Sequence, residues 1–192
     1  MEKTSGLTQK DYIMSFELIR SETLLQGRTF KIRRDHLKTP DGKETRLEIV
    51  EHGGSAIVIP IDEDGNMLLI RQYRHATGME ILELPAGTRD GDEPYEDCAA
   101  REIREETGME AGKLEKIGDF YLAPGYSTEF MGVYLATNLK HNPLDPDSDE
   151  FLSVEKIPLK KAIEMAERGE VPDAKSLAAL FLARRHLEKY LG

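Results

Sequence analysis

The chain has 192 residues, of which 39% are apolar and 32% charged, a composition that fits one soluble globular domain with at most a small appendage. Its net charge of −10 argues against nonspecific binding to nucleic acid or to an anionic membrane surface, and no segment approaches the roughly 18 apolar residues that a membrane helix needs. A single cysteine excludes an internal disulfide framework, and the opening residues MEKTSGLTQKDY lack the apolar run of a secretory signal, so the expected location is cytoplasmic. An acidic chain of this kind needs local arginines or metal ions if its partner is itself an anion.

Residues 1–12 read as a loose leader. Residues 13–26 (IMSFELIRSETLLQ) carry short apolar pieces that suit a strand better than a helix, and residues 28–37 alternate as a strand does. Thr39-Pro40-Asp41-Gly42-Lys43 signals a turn, so residues 44–52 are the returning strand of a hairpin. This section, residues 1–52, is too small for a core of its own and must pack on the rest of the chain or on a second subunit. Gly53-Gly54 then breaks the chain, and residues 53–192 form the main domain. Residues 55–61 (SAIVIPI) are nearly continuously apolar, as in a strand buried on both faces. After the turn at 62–66, further strands are expected at 67–74, 79–85, 113–122, 130–138 and 151–157. Helices are expected at 159–167 and 173–190, the second with Leu177, Leu180, Phe181, Ala183 and Leu187 as core positions. Mixed strands enclosed by helices point to an α/β/α sandwich or an α+β fold.

One stretch carries the chemistry: residues 87–109, GTRDGDEPYEDCAAREIREETGM. Residues 94–107 read as a helix, with Pro94 suited to its first turn and Gly108 to its stop. Cys98 falls inside it as a small buried side chain. Ala99, Ala100 and Ile103 make an apolar face, while Glu102, Glu105 and Glu106 stand at i, i+3 and i+4 and share a neighbouring one. Taken alone, such a run flanked by Arg101 and Arg104 reads as an ordinary solvated face. Three carboxylates on one stripe nevertheless repel each other, and a divalent cation among them would remove the repulsion. Oxygen donors of this kind suit a hard ion, Mg²⁺ or Mn²⁺.

The spacing from Gly87 is glycine, five residues, Glu93, seven residues, then Arg101-Glu102-Ile103-x-Glu105-Glu106-x-Gly108-Met109. It meets every constrained position of the box that marks the Nudix hydrolases, and the chain resembles that family. The resemblance implies the Nudix α/β/α sandwich with a mixed sheet, preceded by an antiparallel strand section. It also implies an enzyme that hydrolyses a nucleoside diphosphate linked to another group. Over about residues 13–188 the chain is similar to one subgroup, the ADP-ribose pyrophosphatases. Three features carry this: RQYRHATGMEILELPAG leading into the box, Pro124 in APGYSTE 15 residues after Met109, and the strand-rich start by which such enzymes form swapped homodimers.

The subgroup implies Mg²⁺-dependent cleavage of ADP-ribose to AMP and ribose 5-phosphate. By resemblance, Glu102 and Glu106 are the main metal ligands, with the carbonyl of Ala86, and Glu105 is a ligand or a base acting on water. Glu150, with Asp149 and Asp147 beside it, is the mobile-loop acid. Arg74 takes phosphate, Ala123, Pro124 and Gly125 run along the substrate, and Glu129 lies near the terminal ribose. Glu48 and His52 reach the adenosine of the partner's site, with Phe30 as a stacking candidate. Glu93 and Arg101 hold the loop and helix in shape. Two alternatives stay open: a Nudix enzyme for another nucleotide sugar such as GDP-mannose, which the tyrosine and serine of PGYSTE disfavour, and a non-catalytic ADP-ribose sensor, which the intact glutamate set disfavours.

Overall fold

The computed structural model describes residues 15–146 and 151–191. The chain divides after Glu51 into two compact units. In the first, β1 (Glu17–Gln26), β2 (Phe30–Lys38) and β3 (Glu44–His52) form a three-stranded sheet in that order. β1 and β2 are antiparallel, with Ser21 opposite Asp35. The turn between β2 and β3 forms where Thr39-Pro40-Asp41-Gly42-Lys43 signals it: Gly42 has φ +85°, and Thr39 N–H donates to Lys43 O at 2.8 Å. Among the described residues of this unit only Asp35 is buried, which is why these strands have no core of their own.

The second unit continues with β4 (Ser55–Pro60), β5 (Asn66–Arg74), β6 (Met79–Glu83), β7 (Ala86–Thr88), α1 (Tyr95–Thr107), β8 (Met109–Tyr121), β9 (Phe130–His141), β10 (Leu152–Pro158), α2 (Leu159–Glu167) and α3 (Ala174–Leu187). A 3₁₀ turn, Glu188–Tyr190, follows α3. One sheet has the order β7-β4-β9-β8 and is mixed, because β4 and β9 run parallel and the other pairs antiparallel. The other sheet, β10-β5-β6, is antiparallel.

All six residues of β4 are buried. Ile57 and Ile59 face a cluster that includes Leu159 and Ala162 of α2 and Ala179, Leu180 and Ala183 of α3. Ala56 and Val58 face the other way, against Cys98, Ala99 and Ile103 of α1. Helices therefore cover both faces, and the continuous apolar run is what a central strand between two helical layers requires. Each fully buried isoleucine there contributes about 1.5–3 kcal/mol relative to exposure. This is the α/β/α arrangement expected from the sequence. Among the described residues no helix is long and apolar enough to cross a membrane.

Local corrections follow from packing. β7 is a three-residue strand that no periodicity announces. β8 begins at Met109, directly after Gly108, rather than at residue 113. On α3, Leu180, Ala183 and Leu187 are buried as expected, but Leu177 is 39% and Phe181 76% exposed. Ser176 and Ala179 are buried instead, which centres the inward stripe on 176, 179, 180, 183 and 187 and leaves 177 and 181 beyond its edge. Ala100 of α1 is likewise exposed, whereas Ala99 and Ile103 face the core.

Candidate functional site

α1 starts after Pro94, whose φ of −58° and ψ of 143° place it at the boundary rather than within the helix. It stops at Gly108, left-handed at φ 71°. Its inner stripe buries Cys98, Ala99 and Ile103 together with Glu102 and Glu106, which are only 5% and 2% exposed. Two of the three glutamates thus face the protein rather than solvent, and Glu105 is half-buried. Glu106 Oε2 accepts the N–H of Ala86 at 2.8 Å. Glu102 lies directly against Gly87: a Cβ on that glycine would stand 1.9 Å from Glu102 Oε1. Any side chain at residue 87 would occupy the space that the carboxylate now fills.

Arg101 ties the loop to the helix. Its Nε and Nη2 donate to the two oxygens of Glu93 at 3.1 and 2.9 Å, and Nη2 also donates to Thr88 O at 3.0 Å. Its Nη1 donates to Glu102 Oε1 at 2.7 Å and to Glu105 Oε2 at 2.8 Å. The repulsion expected between Glu102 and Glu105 is therefore relieved in this structure by a guanidinium. Hydrogen bonding from Arg101 holds the Glu93 carboxyl below the usual carboxylate range, and the same bond raises the pKa of Arg101 against the effect of its own burial. Arg89 closes the loop from the other side, donating from Nη1 to Gly53 O at 3.1 Å and lying 4.4 Å from the ring centre of Tyr95. Cys98 donates to Gly87 O at 3.5 Å, and burial, helped by the charge of Glu102, pushes its thiol up to about 12. It is a packing residue, not a nucleophile.

Among the described residues no three His, Cys, Asp or Glu side chains stand gathered as a metal cluster. The donor chemistry nevertheless fits a hard divalent cation. Two buried carboxylates and one half-buried carboxylate lie along one helix, and the backbone of Ala86-Gly87 passes against two of them with no side chain intervening.

A cleft of about 160 Å³ opens beside this backbone. Ser55, Arg74, Ala86, Gly87, Thr88, Glu129, Met131 and Lys175 line it. Three residues expected at the site from the sequence, Arg74, Ala86 and Glu129, are thereby brought together. Glu129 Oε1 accepts from Ser55 Oγ at 3.0 Å. Arg74 Nε donates to Glu83 Oε1 at 2.7 Å. Burial works against the charge of Arg74, but the pairing with Glu83 outweighs it and raises its pKa. Lys175, which the sequence reading missed, pairs with the other oxygen of Glu83 and lies 3.0 Å from Asp173 Oδ2. One signal was available: a lysine in the first turn of α3 stands where the helix dipole disfavours a cation, so it needs an anionic partner.

Other expected residues have partners of their own. Ala123, Pro124 and Gly125 form a turn in which Ala123 O accepts from Tyr126 N–H and Ser127 N–H at 3.1 and 2.8 Å, and they do not line the cleft. His52 fastens backbone: its Nδ1 accepts from Gly54 N–H at 3.1 Å, and its own N–H donates to Thr128 Oγ1 at 2.9 Å. Glu48, on β3, accepts from Arg34 Nε at 2.7 Å, and that bond holds its carboxyl below the usual range. Glu150, Asp149 and Asp147 lie outside the described residues.

A model of the NUDIX domain matches residues 51–180. The chain is 38% identical over 168 residues to the ADP-ribose pyrophosphatase of Mycobacterium tuberculosis, covering 86% of this chain and 81% of that protein. It is 34% identical over 164 residues to the GDP-mannose pyrophosphatase of Shigella flexneri, covering 79% of this chain and 85% of that protein. A crystal structure of an ADP compounds hydrolase superposes with a TM-score of 0.80 at 27% identity, covering 91% of this chain and 95% of the other.

Proposed function

The chain belongs to the NUDIX family, and from that premise we propose that it hydrolyses the pyrophosphate bond of ADP-ribose, one water yielding AMP and ribose 5-phosphate. The observation that carries the reading is the meeting of two chemistries in one place. Buried Glu102 and Glu106 press on the Ala86-Gly87 backbone, and that backbone lines a cleft together with Arg74 and Lys175. A nucleotide sugar needs both: cations to accept its diphosphate, and oxygen ligands to hold the ion that neutralises the reacting phosphoryl group.

Glu102, Glu106 and the carbonyl of Ala86 are the residues that would hold a divalent cation, Mg²⁺ or Mn²⁺, with Glu105 as a further ligand or as the base that takes a proton from the attacking water. The ion would supply charge neutralisation and polarisation of a phosphoryl oxygen. Arg74 and Lys175 bind and orient the diphosphate, the arginine as a planar fork and the lysine as a point charge. Glu129, held by Ser55, accepts hydrogen bonds from hydroxyls of the terminal ribose. Glu150 is a second candidate base. Phosphoryl transfer needs little else from a protein than such positioning and electrostatic stabilisation.

Similarity to a GDP-mannose pyrophosphatase over 79% of the chain favours GDP-mannose as the second reading. The test is a panel of ADP-ribose, other ADP-sugars, GDP-mannose, dinucleoside polyphosphates and nucleoside triphosphates with Mg²⁺, followed by measurement of AMP and GMP. AMP from ADP-ribose as the preferred reaction is expected. GMP from GDP-mannose with no AMP from ADP-ribose replaces the first reading by the second. Tight ADP-ribose binding without any product would identify a sensor.

A further inference from the structure

Behind the cleft lies a carboxylate that none of these roles uses. Glu83, the last residue of β6, is 1% exposed. Each of its oxygens carries a different cation: Oε1 accepts from Arg74 Nε at 2.7 Å, and Oε2 accepts from Lys175 Nζ. Both cations line the cleft with Ala86 and Gly87, and Glu83 does not. One buried anion thus stands behind two positive heads that come from different elements, β5 and α3.

Among the described residues, Glu83 is the one carboxylate that bonds both cations. In the β5–β6 register Glu83 lies opposite Ile70, while Arg74 lies opposite Met79 at the end of the strand. Arg74 must therefore reach back along β5 to meet Glu83, whereas an unpaired arginine at a strand end extends into solvent. Lys175 sits in the first turn of α3, against the helix dipole. Its side chain is only 13% exposed, with Glu83 and Asp173 as its anions. Two like charges converging on one cleft repel each other unless an anion lies between them.

We propose that Glu83 is a positioning residue that holds Arg74 and Lys175 side by side, so that the pair takes up the diphosphate as a unit. This rests on the phosphate-binding reading of Arg74 and Lys175 given above. A role in charge balance alone has the opposite sign: removing Glu83 would then leave a more positive cleft and tighten anion binding. Positioning requires that binding weaken, because the two heads part once the carboxylate is gone.

The experiment is calorimetry of the full-length protein with ADP in EDTA, in wild type and Glu83→Gln, alongside Mn²⁺ titration of the nucleotide-free protein followed by electron paramagnetic resonance. Glu83→Gln should weaken ADP about tenfold or more, a loss typical of misplaced charge-assisted bonds, while Mn²⁺ affinity stays within about twofold. In turnover with Mg²⁺ the change should appear in KM, with kcat nearly unchanged. Unchanged or tighter ADP binding overturns the proposal. If the glutamine variant does not fold, Glu83→Asp keeps the charge and shortens the reach by one methylene. It should raise KM severalfold, and an unchanged KM overturns the proposal equally. A wild type that cleaves neither ADP-ribose nor GDP-mannose refutes the proposed activity, and the ADP comparison still decides the role of Glu83.

Discussion

Glu106 joins two functions in one side chain: it accepts the Ala86 N–H and is a proposed metal ligand. A glutamine there can still accept that hydrogen bond through its carbonyl oxygen, but it loses the charge. Glu106→Gln should therefore stay folded and lose more than about 100-fold in kcat, the scale expected when a metal centre is disturbed. Release of AMP from ADP-ribose measures it, and near-normal turnover would remove Glu106 from the metal site. Glu93 carries a pH signature. Its folded pKa is below the ordinary 4.5, mainly through hydrogen bonds from Arg101. The stability it contributes is fully present above 4.5 and is lost as pH falls through the lower, folded value. The Tm difference between wild type and Glu93→Gln should hold steady at neutral and mildly acidic pH and close below 4.5. A gap that did not narrow at all as pH fell below 4.5 would mean that the contact acts through shape rather than charge.

Among the elements, α3 shows how packing selects one face out of an apolar sequence. AKSLAALFLARRHL offers apolar residues all round, so periodicity alone does not choose between Leu177-Phe181 and Leu180-Ala183. The choice is made at the helix start. Asp173 caps Ser176 N–H at 2.9 Å, and Ser176 Oγ in turn accepts the N–H of Leu84 at 2.8 Å. That pins residue 176 inward and fixes the rotation of everything after it. Leu180→Ala, in the core, should cost about 2–5 kcal/mol. Phe181→Ser, at 76% exposure, should stay within about 0.5 kcal/mol of wild type. Urea unfolding of the two variants checks the rotation, and equal losses would mean that Phe181 is covered in solution.

At the scale of the whole molecule, the first unit leaves apolar side chains uncovered. β1 carries Leu18, Ile19, Leu24 and Leu25 at exposures between 44% and 57%, and among the described residues of its unit only Asp35 is buried. We expect residues 1–52 to serve dimerisation, as the strand section with no core implies. Light scattering at micromolar concentration should give twice the 21.7 kDa chain mass, and a monomer would remove the idea.

Much was legible in the residues themselves, and for a physical reason. Helix periodicity, glycine stops, turn dipeptides and a fully apolar strand are local properties, so α1, β4 and the β2–β3 turn could be read in order along the chain, and the fold class narrowed to an α/β/α sandwich or an α+β fold, between which the family resemblance chose the sandwich. The glutamate stripe was legible too, because its spacing is a property of one helix. What the glutamates do with their charge was not. Arg101 spans the stripe and the loop, and Glu83 draws together Arg74 from β5 and Lys175 from α3. Gly87 is needed because Glu102 occupies the place of its missing Cβ. Each of these depends on which distant backbone passes within about 3 Å of which side chain, a hydrogen-bond distance that no local pattern encodes. Local spacing along the chain settled the long strands, the helices and the shared face of the glutamates, whereas the three-residue β7 and the pairing of cations with carboxylates across the cleft depend on contacts between distant segments.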